Sequence, residues 1–247
     1  VDLMDPCDGG DNSRDGDGDG LTNIEEYNAD SCPCCYDSDD DGVSDGDELL
    51  SLNTSPIKSD SDGDGLSDGV EDSNDNGKYD VDFETDPNNA DSDLDGVADG
   101  VEDRDKNGVV DDGETSPLNS DSDGDGLLDG EEDSNFNGVR DIFETDPLNS
   151  DSDGDLLSDG CERGVFNVDE QMRTVTNPLV ADSDNDGIID GIEDSDLNCI
   201  RDEATETDPL LMDSDGDMLK DGEEDKNYNG VVDDGETDPL EADSDGG

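Results

Sequence analysis

Apolar residues recur in register along this chain. Leu66, Val97, Leu127, Leu157, Ile188 and Leu219 sit at matching places in successive Asp-rich loops, and Leu118, Leu148, Leu210 and Leu240 each follow a proline. Side chains this few suit a thin seam between neighbouring segments, and no stretch carries enough apolar volume to line a ligand pocket. The prolines belong to connectors of the type Thr-Asp-Pro-Leu-Asn-Ser, at Thr85, Thr115, Thr145, Thr207 and Thr237. Proline fixes its own φ and biases the preceding residue toward extended backbone, so each connector is stiff and stops helix growth. The pattern predicts turns, loops and single helical turns near Asp68 to Asp72 and their equivalents. No run of about 18 apolar residues is present, so no segment is expected to insert in a membrane.

Polar residues are as periodic as apolar ones. Asp-Ser-Asp opens at Asp37, Asp60, Asp91, Asp121, Asp151, Asp182, Asp213 and Asp243, with steps of 30 or 31 residues from Asp60 onward. A related loop opens at Asp15. In the loop Asp60, Asp62, Asp64, Gly65, Asp68 and Glu71, oxygen donors fall at positions 1, 3, 5, 9 and 12 with Gly at 6. That is the spacing of the EF-hand calcium loop, in which alternate residues aim carboxylates at one centre, Gly permits the turn, and a Glu closes the shell. The same positions hold Asp15, Asp17, Asp19, Asn23 and Glu26 in the first loop, and Asp37, Asp39, Asp41, Asp45 and Glu48 in the next. They recur as Asp91, Asp93, Asp95, Asp99 and Glu102, then as Asp121, Asp123, Asp125, Asp129 and Glu132. The last three sets are Asp151, Asp153, Asp155, Asp159 and Glu162; Asp182, Asp184, Asp186, Asp190 and Glu193; and Asp213, Asp215, Asp217, Asp221 and Glu224. Glu occurs 19 times in 247 residues, so its presence at position 12 of every complete loop is not chance.

A second loop follows directly in most segments. It reads Asp103, Asp105, Asn107, Asp111 and Glu114, with parallels in Asp133, Asn135, Asn137, Asp141 and Glu144 and in Asp225, Asn227, Asn229, Asp233 and Glu236. In the loop Asp72, Asn74, Asn76 and Asp80, position 12 is Phe83, so Asp82 or Glu84 must close it. The loop of Asp194, Asp196, Asn198 and Asp202 is degraded, with Cys199 for Gly and Thr205 for Glu. Leu156 and Met218 occupy a Gly position that calls for positive φ, a strain of about 1–2 kcal/mol. The segment opening at Asp151 has Arg163 to Val175 in place of a second loop. That stretch is either a lost cation site patched by Val165, Phe166, Val168 and Met172, or a contact surface.

Composition turns this pattern into a chemical requirement. With 80 Asp+Glu against 11 Lys+Arg the formal charge is −69, and only 26% of residues are hydrophobic. Such a balance alone describes a disordered polyanion, yet disorder has no reason to keep a 30-residue register. The sign of the charge removes nucleic acid as a partner. Hard oxygen donors without His suit calcium better than magnesium, which demands a stricter octahedron. Thirteen such sites would bring the formal charge from −69 to about −43. The expected fold is irregular, with little regular secondary structure: an elongated, calcium-stabilised tandem repeat array of Asp-rich loops. Its parts are an N-terminal Cys-containing segment with the first loop (1–36), a short single-loop repeat (37–59), six 30–31-residue repeats (60–242) and an incomplete loop (243–247).

Six cysteines stand at Cys7, Cys32, Cys34, Cys35, Cys161 and Cys199. Disulfides are expected, Cys161 with Cys199 and Cys7 with one of the 32/34/35 group, among the 15 pairings six cysteines allow. The rival is a zinc site of Cys7, Cys32, Cys34 and Cys35, whose spacing is poor for tetrahedral chelation.

The strings at 60–71 and 145–154 resemble the thrombospondin type 3 repeat, most closely its bacterial form, over about residues 15–245. The resemblance implies a chain wrapped around lines of calcium ions, serving as a spacer, stalk or adhesive part of a secreted or surface protein. No nucleophile–base pair or Gly-rich phosphate loop is present, so an enzyme is not expected. The expected roles are an extracellular rod, a stalk of a larger surface adhesin, or a calcium reservoir or mineral-binding polyanion. Asp243 and Asp245 open a loop that nothing follows. Either the molecule continues past them, or a neighbour's Asp2, Asp5 and Asp8 complete the shell head to tail and build a filament. No signal peptide is recognisable, so any targeting segment is expected to have been removed or to lie outside this sequence.

Overall fold

The computed structural model describes residues 13–165 and 175–242. They fall into two units, one of the residues up to Ser120 together with Asn135–Gly138, the other of Asp121–Ser134 with the residues from Val139 on. Among the described residues there is no β-strand, and helix comes in single turns joined by loops.

In the first unit the helices are α1 (Asn23–Ala29), α2 (Asp45–Asp47), α3 (Asp68–Glu71) and α4 (Asp99–Glu102). A π-helical turn, Glu48–Leu52, continues α2. The second unit holds α5 (Asp129–Glu132), α6 (Asp159–Glu162), α7 (Asp190–Glu193) and α8 (Asp221–Glu224). Each of α3 to α8 runs from position 9 to position 12 of an Asp-rich loop, where the sequence predicts a helical turn. The residue before it is extended, as at Ser67 with φ −93° and ψ 150°, and acidic side chains in the first turn suit the positive helix start. In α3 the residue after the closing Glu, Asp72, leaves helical geometry at ψ 67° and opens the second loop. Besides the run of α2 and its π-helical turn, α1 is longer than one turn, with Thr22 donating through N and Oγ1 to Glu25 (2.8 and 2.6 Å) and Asp30 ending it at φ 62°.

The interior inverts the usual partition. Its apolar members are Leu21, Val43, Leu52, Leu66, Val97, Leu127, Leu157, Ile188, Cys161 and Cys199. Buried carboxylates outnumber them, although ionised side chains are normally the last to leave water. The residues at position 7 are buried, with one exception: Leu219 is 43% exposed. The leucines after proline do not join them. Leu118, Leu148 and Leu210 are 41–50% exposed, although the connector threonines Thr115, Thr145 and Thr207 are buried. Some of them instead border grooves that no single stretch could line. Leu66, Val70 and Phe83 meet Val110 and Leu118 in the first unit, and Ile188 and Ile192 meet Val231, Val232 and Leu240 in the second.

Candidate metal centre

Each first loop is wound by its own Asp residues. In the loop at Asp60, one carboxylate oxygen of Asp60 accepts from Gly63 N (2.6 Å) and the other from Gly65 N (3.2 Å). Asp62 accepts from Asp64 N (3.2 Å), and Asp64 from Leu66 N (2.7 Å). The contacts recur at Asp37, where Asp40 N and Gly42 N donate, and at Asp151, where Gly154 N and Leu156 N donate. Winding of this kind needs positive φ at positions 4 and 6. Gly65 supplies 109° at position 6, whereas Leu156 and Met218 are forced to 91° and 85° there, the strain expected from the sequence.

After these bonds are made, the remaining carboxylate oxygens have no donor. Oδ2 of Asp17, Asp39, Asp62, Asp123, Asp153, Asp184 and Asp215 at position 3 is buried without a hydrogen-bond partner. So is Oδ2 of Asp19, Asp41 and Asp155 at position 5. At position 12, both oxygens of Glu26, Glu71, Glu132, Glu193 and Glu224 lack a donor in sound geometry. The nearest hydroxyl is the connector threonine: Thr54 reaches Glu48 at 3.3 Å and Thr176 reaches Glu162 at 2.9 Å. Burial, reinforced by surrounding Asp, pushes Glu26 up to about 7, Glu132 to about 8, Glu48, Glu71 and Glu162 to about 9, and Glu193 to about 10. An unpaired buried carboxylate costs several kcal/mol. A donor set made only of clustered carboxylate oxygens fits a hard divalent cation. In the first loop Asp15, Asp17 and Asp19 bring oxygens within 4.8 Å of one another, as do Asp37, Asp39 and Asp41 in the next.

The residue at position 9 departs from the one-loop template. Asp45, Asp68, Asp99, Asp159, Asp190 and Asp221 are all fully buried, and the own-loop contact of each is Ser at position 2. Ser61 donates to Asp68 through N (2.7 Å) and Oγ (2.7 Å), and Ser38 to Asp45 in the same way. The other side of each carboxylate faces the preceding loop. Asp45 stands with Asp19 and Glu26, and Asp68 with Asp41 and Glu48, each trio within 4.8 Å. Glycine at position 10 permits this approach. A Cβ on Gly100 would lie 2.7 Å from the carbonyl oxygen of Asp64, and Gly100 N donates to Asp64 at 2.9 Å. Gly160 N on Asp125 (2.6 Å) and Gly222 N on Asp186 (2.8 Å) repeat the contact.

Second loops close differently. Asn74 and Asn76 turn their amide nitrogens on Asp80 (3.1 and 2.7 Å), and Asn74 also on Glu84 (2.7 Å). Asn107 donates to Asp111 (3.0 Å), and Asn227 and Asn229 donate to Asp233 (2.9 and 3.0 Å). Glu84 is the closing residue of its loop, buried while Phe83 is 80% exposed and Asp82 lies outside. In the loop at Asp194 the closing residue is Glu206, which the spacing missed. It is buried and accepts from Asp202 N (2.7 Å) and Ser195 Oγ (3.1 Å). Glu114 and Glu144 are buried likewise, Glu236 partly. The signal for Glu206 was the pair Glu-Thr, which ends every second loop whether it has 12 or 13 residues. Asp105 and Asp196 stand exposed.

Cys161 and Cys199 form a disulfide, with Cα atoms 5.6 Å apart. Cys199 sits at position 6 of its second loop, where Gly108 and Gly230 pack on Val70 and Ile192 at position 11 of an earlier loop. Cys161 is at that position 11, so the bridge makes covalent a contact that elsewhere is glycine on an aliphatic side chain. Cys32 pairs with Cys35, and Cys34 is also disulfide-bonded, which leaves no thiolate set for zinc in this group. Cys7, Phe166, Val168, Met172, Asp243, Asp245 and the N-terminal Asp2, Asp5 and Asp8 lie outside the described residues. Among the described residues no helix is long and apolar enough to cross a membrane. Comparison with protein families, with characterised proteins and with solved structures finds no match to this chain.

Proposed function

We propose that this chain is a calcium-binding structural protein whose shape is maintained by cations held in its Asp-rich loops. The observation that carries this reading is the set of buried carboxylate oxygens without donors at positions 3, 5 and 12. They recur in register in loops whose backbone is already wound for them. The residues that would hold calcium are those at positions 1, 3, 5 and 12, and the cation would supply the positive charge that their burial demands. The role is structural rather than catalytic, because these carboxylates are already committed to winding and closing loops. The disulfides support an extracellular or cell-surface setting, where calcium is also plentiful. A calcium-stiffened tandem array, acting as a rod or as the stalk of a larger adhesin, follows from the 30-residue register. Assembly head to tail belongs to the same proposal.

The test is chelation. Small-angle scattering and limited proteolysis of the whole chain, in calcium and then in EDTA, should show expansion toward the unfolded radius of gyration of about 55 Å and loss of protection. A chain that scatters and digests identically in both would refute the proposal.

A further inference from the structure

The aspartate at position 9 is the residue whose surroundings the one-loop template does not explain. At the junction of the loops at Asp37 and Asp60, Asp68 is fully buried and its oxygens lie within 4.8 Å of those of Asp41 and Glu48. Oδ2 of Asp41 and Oε2 of Glu48 are buried with no hydrogen-bond partner. Ser61 fixes the carboxylate of Asp68 through both its N and its Oγ, so the residue is oriented from its own loop but points out of it. The junction before it repeats the arrangement with Asp19, Glu26 and Asp45. There both oxygens of Glu26 and Oδ2 of Asp19 are buried without a partner.

The sequence carries independent support. Seven of the eight complete loops have Ser at position 2, Asp at 9 and Gly at 10; the loop at Asp15 has Gly16, Asn23 and Ile24. Where the acid at position 9 is absent, the serine at 2 that aims it and the glycine at 10 that lets it approach are absent too, so the three residues behave as one device.

We propose that position 9 serves the loop before its own, so that within each unit a divalent cation is held at the junction of successive loops by Asp at 5 and Glu at 12 of one loop and Asp at 9 of the next. This cation is additional to the one gathered by Asp at 1, 3 and 5, and the proposal rests on the calcium-binding reading above. Adjacent loops then share an ion, and the ordering of one depends on its successor.

The experiment uses the whole disulfide-bonded chain dialysed against calcium, with bound ions counted by mass spectrometry and amide exchange followed by peptide. Asp68→Ala should lose one ion, as should Glu48→Ala, and the double variant should also lose one, because both remove ligands of the same site. In Asp68→Ala, exchange in residues 37–52 should rise about tenfold or more, with a smaller change in 60–66. Ser61→Ala, which loosens Asp68 without removing its charge, should keep the ion. If the double variant loses two ions, or if exchange rises only in 60–71, position 9 serves its own loop and the proposal is overturned. A parental chain that takes up no calcium at all removes the functional reading itself, a separate outcome. Should Asp68→Ala fail to fold, Asp45→Ala and Glu26→Ala give the same count at the neighbouring junction.

Discussion

Segment 60–90 contains two loops with nearly the same spacing of acids and very different chemistry. In the loop at Asp60, position 9 (Asp68) and closing Glu71 are buried, and Oδ2 of Asp62 and both oxygens of Glu71 have no donor in sound geometry. In the loop at Asp72, position 9 (Asp80) is exposed and receives two asparagine amides, which hold it below the usual carboxylate range. Replacing Asp by Asn at positions 3 and 5 therefore does more than trim charge. It supplies donors that neutralise the loop from within. The first loop leaves Oδ2 of Asp62 and both oxygens of Glu71 to an external positive charge, whereas in the second only Oε2 of Glu84 is buried without a donor.

The widest separation between the two should appear with pH in EDTA. The folded pKa of Glu71 is raised to about 9 and that of Glu193 to about 10 by burial. Such groups stabilise the metal-free fold below the unfolded carboxylate range near 4.5, and that contribution is lost as pH rises through the folded values. The lowered groups Asp80 and Asp233 act in the opposite sense, stabilising above about pH 4 and losing effect as pH falls. Metal-free chain should thus be most compact near pH 5 and expand steadily toward pH 9. A scattering radius flat across that range would mean that first-loop carboxylates are solvated like the exposed Asp80 and Asp233.

A narrower contrast comes from paired substitutions in calcium. Glu71→Gln, in a first loop, should accelerate amide exchange in 60–71 at least about a hundredfold and up to about several thousandfold, since removing one partner of a buried ionic group typically costs about 3–5 kcal/mol. Glu114 accepts from the backbone N–H groups of Arg104 and Asp111, and in Glu114→Gln the amide oxygen can keep one of the two. Its effect should stay below about tenfold. Equal responses would erase the distinction between the loop types.

The smallest effect concerns strain shared by two first loops. Leu156→Gly and Met218→Gly should each stabilise their loops by about 1 kcal/mol, because Gly accepts φ near 90° without the Cβ clash, though it also loosens the unfolded chain. Calcium titration of each variant against the parent measures this as up to about a fivefold gain in affinity.

Much of this was legible in the sequence and some was not, for a physical reason. Loop starts, the helical turn from position 9 to 12 and the strain at Leu156 follow from local spacing; the pairing of Cys161 with Cys199 was expected, but six cysteines allow 15 pairings and spacing alone does not choose among them. The partner of Asp68 does not, because spacing within a loop cannot say which carboxylates meet across a junction. Glu206 escaped because a 12-residue template was laid over a 13-residue loop, although Glu-Thr marked its end. Thr54 and Thr176 each stand two residues before a proline, as the connector threonines do, and spacing did not reveal that they reach back to Glu48 and Glu162. The exposure of Leu118 was missed because a register in sequence was taken for a shared interior.

The bridge between Cys161 and Cys199 has a mechanical consequence. It spans 38 residues, and that span contains the stretch from Arg163 to Val175 that carries no second loop. Tension applied along the chain would pass through the sulfur–sulfur link and bypass everything between the two cysteines. Fully extended, 38 residues reach about 130 Å, a length withheld from any pull until the link is reduced. Force spectroscopy should find the oxidised chain shorter by roughly 125 Å at full extension than the reduced one, with the divergent stretch unloaded even where its neighbours give way.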